Sequence, residues 1–192
     1  MTSSPTRNDF HTLARGHSVV PVWREVLADY TTPVAAFARL AGQEETGFLF
    51  ESVERERWSR WSFVGRRPSA TIVARDGTLE VTGDLPASVP RDRGVLAAIE
   101  SILATHRSPS LPDLPPWHGG IAGYLGYDVV REVERLPDVP PDDLGNPDAV
   151  LSVIGDIAAY DHWRQRVTVV ANAFVPAGAD EATVDAAYDD AC

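Results

Sequence analysis

The chain has 192 residues, 44% of them apolar, and a formal net charge of -11 from 17 basic against 28 acidic residues. Every basic residue is Arg; Lys does not occur. This balance argues against a nucleic-acid or anionic-membrane surface, which needs clustered cations, yet one or two Arg can still bind a small anion. The single cysteine, Cys192, precludes a disulfide within the chain. Neither a signal-peptide core at the start nor an apolar run of membrane-spanning length is present, so the expectation is a cytoplasmic protein.

Residues 1–18 are polar and predict a mobile, irregular leader ahead of a folded region over 19–192. Val19–Leu27 reads as a short strand that Pro21 places at a sheet edge. Thr32 and Pro33 are a good N-cap and first helical residue, and Val34, Phe37, Ala38 and Ala41 give that helix one apolar face before Gly42 ends it. Phe48–Val53 reads as a buried strand ending in Glu51 and Ser52, and Ser62–Val64 as its return. The link between them, Val53 to Ser59, is charged and of mixed sign. Ala70–Arg75 and Thr78–Thr82 form a hairpin about Asp76-Gly77, a pair suited to a turn with two positive φ angles.

Asp92 is placed to cap a helix with Val95, Ile99, Ile102 and Leu103 on its apolar face, and His106 extends that face. A stiff, proline-rich connector runs from Ser108 to Trp117. Four glycines punctuate the apolar run Gly119–Asp128, which reads as a strand approached closely by another backbone or by a ligand. No phosphate-loop pattern fits it. Asp128 then caps a helix bearing Val129, Val130, Val133 and Leu136, and an acidic loop follows. Val150–Tyr160 and Arg166–Ala171 pair as antiparallel strands, and Asp180–Cys192 begins a helix with Val184, Ala187, Tyr188 and Ala191 on one face. That helix meets no stop signal, so the chain reads as a piece of a longer protein with this face exposed for the rest. Hairpins interrupted by helices predict an α+β fold, antiparallel sheet covered by helices. No nucleophile–base pair or metal-ligand spacing is legible; Glu51, Ser52 and Arg60 form the one candidate pocket.

Leu49-Phe50-Glu51-Ser52 followed by Arg60-Trp61-Ser62-Phe63-Val64-Gly65 resembles the Leu-Leu-Glu-Ser and Gly-Arg-Tyr-Ser-Phe-Ile-Gly pattern of anthranilate synthase component I. Gly119 to Asp128 is similar to that family's Gly-Gly-x-x-Gly-Tyr-x-Gly-Tyr-Asp, and Pro21–Asp29 and Asp161-His162-x-Arg164-Gln165 match in the same order. The resemblance implies the layered N-terminal domain of an enzyme that converts chorismate to anthranilate and pyruvate. Such enzymes use Mg2+, and ammonia from a glutamine amidotransferase subunit, component II. Chorismate and Mg2+ are held there by a C-terminal domain beyond this chain, so the resemblance implies no catalytic or metal residue here. It implies instead a feedback site for L-tryptophan, with Ser52 matching the tryptophan-binding serine and Leu49, Glu51 and Arg60 beside it. Phe50 and Trp61 depart from the pattern's Leu and Tyr. The alternatives are the same domain of aminodeoxychorismate synthase component I, in the folate pathway, and a non-catalytic amino-acid-binding module.

Overall fold

The computed structural model describes residues 3–29, 31–40, 46–51, 60–139 and 141–192. Two compact units divide the chain: one of Met1–Pro68, His106–Gly120 and Ile154–Cys192, the other of Ser69–Thr105 and Ile121–Val153. Among the described residues the elements in order are α1 (Arg7–Ala14), β1 (Val19–Leu27), α2 (Pro33–Leu40), β2 (Gly47–Glu51), β3 (Trp61–Arg66), β4 (Ala70–Arg75), β5 (Thr78–Gly83), α3 (Val95–Thr105), β6 (Ile121–Leu125), a 3-10 turn (Tyr127–Glu132), β7 (Ala149–Val153), β8 (Asp156–Asp161), β9 (Arg166–Phe174) and α4 (Glu181–Ala191). The α+β expectation holds: both sheets are antiparallel throughout.

The first unit is built on a five-stranded sheet in the order β1-β9-β8-β3-β2. β1 is an edge, as Pro21 requires. Trp23, two residues on, turns its N–H and C=O outward to Ser4, so the missing Pro21 donor lies on the side with no ladder bond to lose. One face of this sheet meets α2, where Leu49, Val64, Ala158, Tyr160 and Val167 pack with Ala36, Phe37 and Leu40. Thr32 caps α2 by accepting from the Ala35 amide at 3.1 Å. The helix is rotated from the expected face: Pro33 and Ala36 are buried, while Val34 and Ala38 are exposed. Gly42 lies outside the described residues. β2 is likewise not the buried strand of the sequence reading but the opposite edge, with Phe50 46% exposed.

An irregular leader over 1–18 is corrected by α1. Phe10 is wholly buried among Val20, Val22, Ala173, Val175 and Val184, and Tyr188 meets its ring edge-on at 5.1 Å. Arg7 pairs with Asp185 at 2.7 Å and with Asp189, and His11 Nε2 lies 3.0 Å from Asp185. The α4 face read as exposed is therefore covered, by a helix that a polar composition concealed. Phe10 docks it, with Leu13 and Ala14 packed beside it. The helix begins where expected, and Asp180 caps it by accepting from Thr183 N at 2.9 Å.

The second unit carries a four-stranded sheet in the order β5-β4-β7-β6. The Asp76-Gly77 turn has the positive φ angles expected of it, 48° and 73°. The glycine-rich run serves close backbone approach: at Gly123, φ 151°, a Cβ would lie 2.0 Å from the Val150 carbonyl oxygen on β7. Neither expected cap is used. Asp128 pairs with Arg131 at 2.5 Å, and the segment after it is a 3-10 turn, not an α-helix. Its last residue, Glu132, caps α3 in place of Asp92, accepting from Val95 N at 2.7 Å and Leu96 N at 2.9 Å. A carboxylate on two free amides at a helix N-terminus is favoured by both hydrogen bonding and the helix dipole. Val150–Tyr160, read as one strand, is two: β7 in this unit and β8 in the other.

Replacing Phe10 by Ala should lower unfolding stability by about 3–5 kcal/mol, the usual range for emptying an aromatic core position. Urea denaturation followed by circular dichroism measures it; a loss under about 1 kcal/mol would mean α1 does not dock as described.

Candidate ligand-binding site

Local pairing builds the site. β2 and β3 pair with Glu51 opposite Ser62, Phe50 opposite Phe63, Leu49 opposite Val64 and Phe48 opposite Gly65. Alternation then sorts the hairpin into two faces. Phe48, Phe50 and Phe63 share one, and Trp117, from the proline-rich connector, joins them at centroid distances of 5.6, 5.8 and 5.0 Å. Gly65 is needed there, since a Cβ would come within 2.1 Å of the Phe48 ring. Leu49, Glu51, Ser62 and Val64 share the other face, toward α2.

Of the four residues proposed from sequence, Leu49 is half-buried in the α2 contact and Glu51 is exposed at the end of β2. Ser52 lies outside the described residues. Arg60 is engaged by a residue that sequence reasoning did not consider. Its Nε donates to Asp161 Oδ1 at 3.0 Å and its Nη2 to Asp161 Oδ2 at 2.5 Å, a two-pronged pair. Trp61 and Trp163 place their rings 4.9 and 5.2 Å from the guanidinium carbon.

Asp161 also accepts from the amides of Trp163 and Arg164, at 3.1 and 3.2 Å, which shapes the β8–β9 turn. Burial alone pushes its carboxyl up. The Arg60 hydrogen bonds, the two amides and the Arg60 charge together outweigh burial and hold it below the ordinary carboxylate value. Beside this pair, Ser62 Oγ and His162 Nε2 are 2.7 Å apart, and the Tyr160 ring stacks on the imidazole. Burial raises the Tyr160 hydroxyl pKa. Ser62, Asp161 and His162 all lie within the matched motifs; the signal that could have singled out Ser62 is a hydroxyl on the same strand face as the buried Val64.

The architecture places the chain among the layered α+β proteins that include anthranilate synthase component I from Streptococcus pneumoniae. The likeness to that solved structure has a TM-score of 0.50 at 23% identity, over 86% of this chain and 35% of that one. No protein-family model matches the sequence. Against anthranilate synthase component 1 of Mycolicibacterium smegmatis it is 42% identical over 192 residues, 100% of this chain and 36% of the relative. The Thermus thermophilus counterpart is 40% identical over 151 residues, 79% of this chain and 32% of the relative. The chain belongs to the anthranilate synthase component I family and spans about a third of the length of these relatives.

The Arg60–Asp161 pair has a pH signature. Because the folded-state Asp161 pKa is depressed, the pair's contribution is complete above the unfolded value of about 3.9 and is lost as pH falls through the lower folded value. In Arg60→Ala, burial acts on Asp161 unopposed by that charge, its pKa rises, and the loss begins at higher pH. The acid-unfolding midpoint of Arg60→Ala should therefore shift upward in pH, read by circular dichroism. An unshifted midpoint would show that the pair adds nothing to stability.

Proposed function

We propose that this chain is the N-terminal regulatory and structural domain of an anthranilate synthase component I and that it binds L-tryptophan as feedback inhibitor. The observation supporting this is that 42% identity runs along 100% of the chain but only 36% of the relative. Leu49–Glu51 and Ser62–Gly65, within the family pattern, also pair as neighbouring antiparallel strands. In this reading the whole enzyme turns chorismate and ammonia, or glutamine, into anthranilate and pyruvate in the cytoplasm. Its partners are a glutamine amidotransferase subunit and its own C-terminal chorismate-binding domain, which holds the Mg2+. Among the described residues no three His, Cys, Asp or Glu side chains gather as a metal site, and no helix is long and apolar enough to cross a membrane.

A free amino acid needs an acceptor for its ammonium, donors for its carboxylate and an apolar slot for its side chain. Glu51 is the acceptor, Leu49 contributes apolar wall, and Ser52 and Arg60 contribute polar contacts. Tryptophan inhibits by favouring an inactive arrangement, to the extent that it binds that arrangement more tightly.

Two experiments test the reading. The purified 192-residue chain, given chorismate, Mg2+ and ammonia, should form no anthranilate; steady production would refute the division of labour. In the full-length enzyme, Ser52→Ala should weaken tryptophan inhibition roughly tenfold or more, the effect of about 1.5–3 kcal/mol for a hydrogen bond to a charged group, and leave turnover nearly unchanged. Unaltered inhibition with collapsed turnover would overturn the regulatory role of Ser52. Anthranilate as product, not aminodeoxychorismate, is expected of the same preparation.

A further inference from the structure

The Ser62–His162 pair is unused by the reading above. Ser62 is 2% exposed, and its hydroxyl holds one ring nitrogen of an exposed histidine. Among the described residues His162 Nδ1 has no hydrogen-bond partner, while Nε2 is fixed by Ser62 at 2.7 Å. Tyr160 stacks on the ring with centroids 6.4 Å apart, and the His162 amide donates to the Arg60 carbonyl at 2.9 Å. Backbone, ring face and one ring nitrogen are thus all constrained, leaving Nδ1 as the ring's polar atom without a partner among the described residues.

Its neighbours say what that atom suits. Ser62 lies opposite Glu51 in the β2–β3 ladder, and such partners have Cβ atoms about 4.5–5.5 Å apart. A carboxylate and an imidazole therefore stand on one sheet face, either side of a buried hydroxyl. Arg60, the obvious cation, already has its charge opposed by Asp161 through two hydrogen bonds. A second carboxylate gains less from a guanidinium so engaged than from an unopposed donor.

We infer that His162 receives the α-carboxylate of an amino-acid ligand whose ammonium meets Glu51, with Ser62 as the positioning residue that aims the imidazole. This rests on the amino-acid-binding reading and extends it to a residue that reading does not include. With Nε2 accepting from the Ser62 hydroxyl, Nδ1–H is the ring's donor and can meet a carboxylate. The charged and titratable groups about it are Glu51 on β2, the Arg60–Asp161 pair alongside and Tyr160 beneath the ring.

Calorimetric titration of the chain with L-tryptophan and with tryptamine, which lacks the carboxylate, tests the inference. The unaltered chain should bind tryptophan more tightly than tryptamine. His162→Gln, an exposed change checked for folding by circular dichroism, should lose about tenfold for tryptophan and leave tryptamine unchanged. Ser62→Ala should reduce the preference in part; if it fails to fold, His162→Gln alone decides. A His162→Gln variant that keeps the original tryptophan-to-tryptamine ratio overturns the role of His162 while the amino-acid reading stands. Absence of tryptophan binding to the unaltered chain overturns both.

Discussion

The pairing of β8 with β3 on one side and β9 on the other is the constraint on which the first unit and its site depend. It brings Arg60 to Asp161 and Ser62 to His162, residues about a hundred positions apart in the chain. Because side chains alternate along a strand, a slip of one residue would send Leu49, Glu51, Ser62 and Val64 to the aromatic face and Phe48, Phe50 and Phe63 to α2. Register is therefore what makes this surface polar at one end and apolar at the other. The hydrophobic contrast between the two faces holds the register, and the two-pronged Arg60–Asp161 pair closes the end of the β3–β8 ladder.

The absence of Lys gives the polar contacts a common character. Arg60 on Asp161, Arg7 on Asp185 and Asp189, Arg67 on Asp156 and Arg131 on Asp128 are all guanidinium–carboxylate pairs. A planar fork fixes direction as well as charge, which an ammonium does not. Most of these pairs are solvent-exposed and add little to stability one by one. Asp161 differs because its carboxylate is buried, so its partners decide whether it stays ionised.

Features set by neighbouring residues were legible in the sequence. Thr32 and Asp180 at helix starts, Asp76-Gly77 at a hairpin and Pro21 at an edge each act within a few residues. What escaped depends on distant partners. Nothing near Asp92 tells that Glu132 takes the α3 amides. The polar first 18 residues give no sign that Phe10 finds a pocket between β1 and α4. Val150–Tyr160 carries strand character from end to end, and only the break at Ile154-Gly155 divides it between units. In the candidate site, Leu49 and Glu51 were named from motif and pattern, both short-range signals. His162 was passed over because one imidazole in a turn carries no signal until Ser62 is seen against it.

The sheet order also bears on synthesis. The first unit pairs β1 with β9, so Val19 meets Phe174, and its segments lie on both sides of the second unit in the chain. As the polypeptide leaves the ribosome, β1, α2 and the β2–β3 hairpin emerge well before the strands that complete their sheet. The second unit has all its strands by Val153. The later unit in sequence is therefore the earlier one able to close. Until β8 and β9 arrive, one edge of β3 and the inner edge of β1 stand without their partners, at the stage of synthesis when a chain is most exposed to wrong pairing and to chaperones.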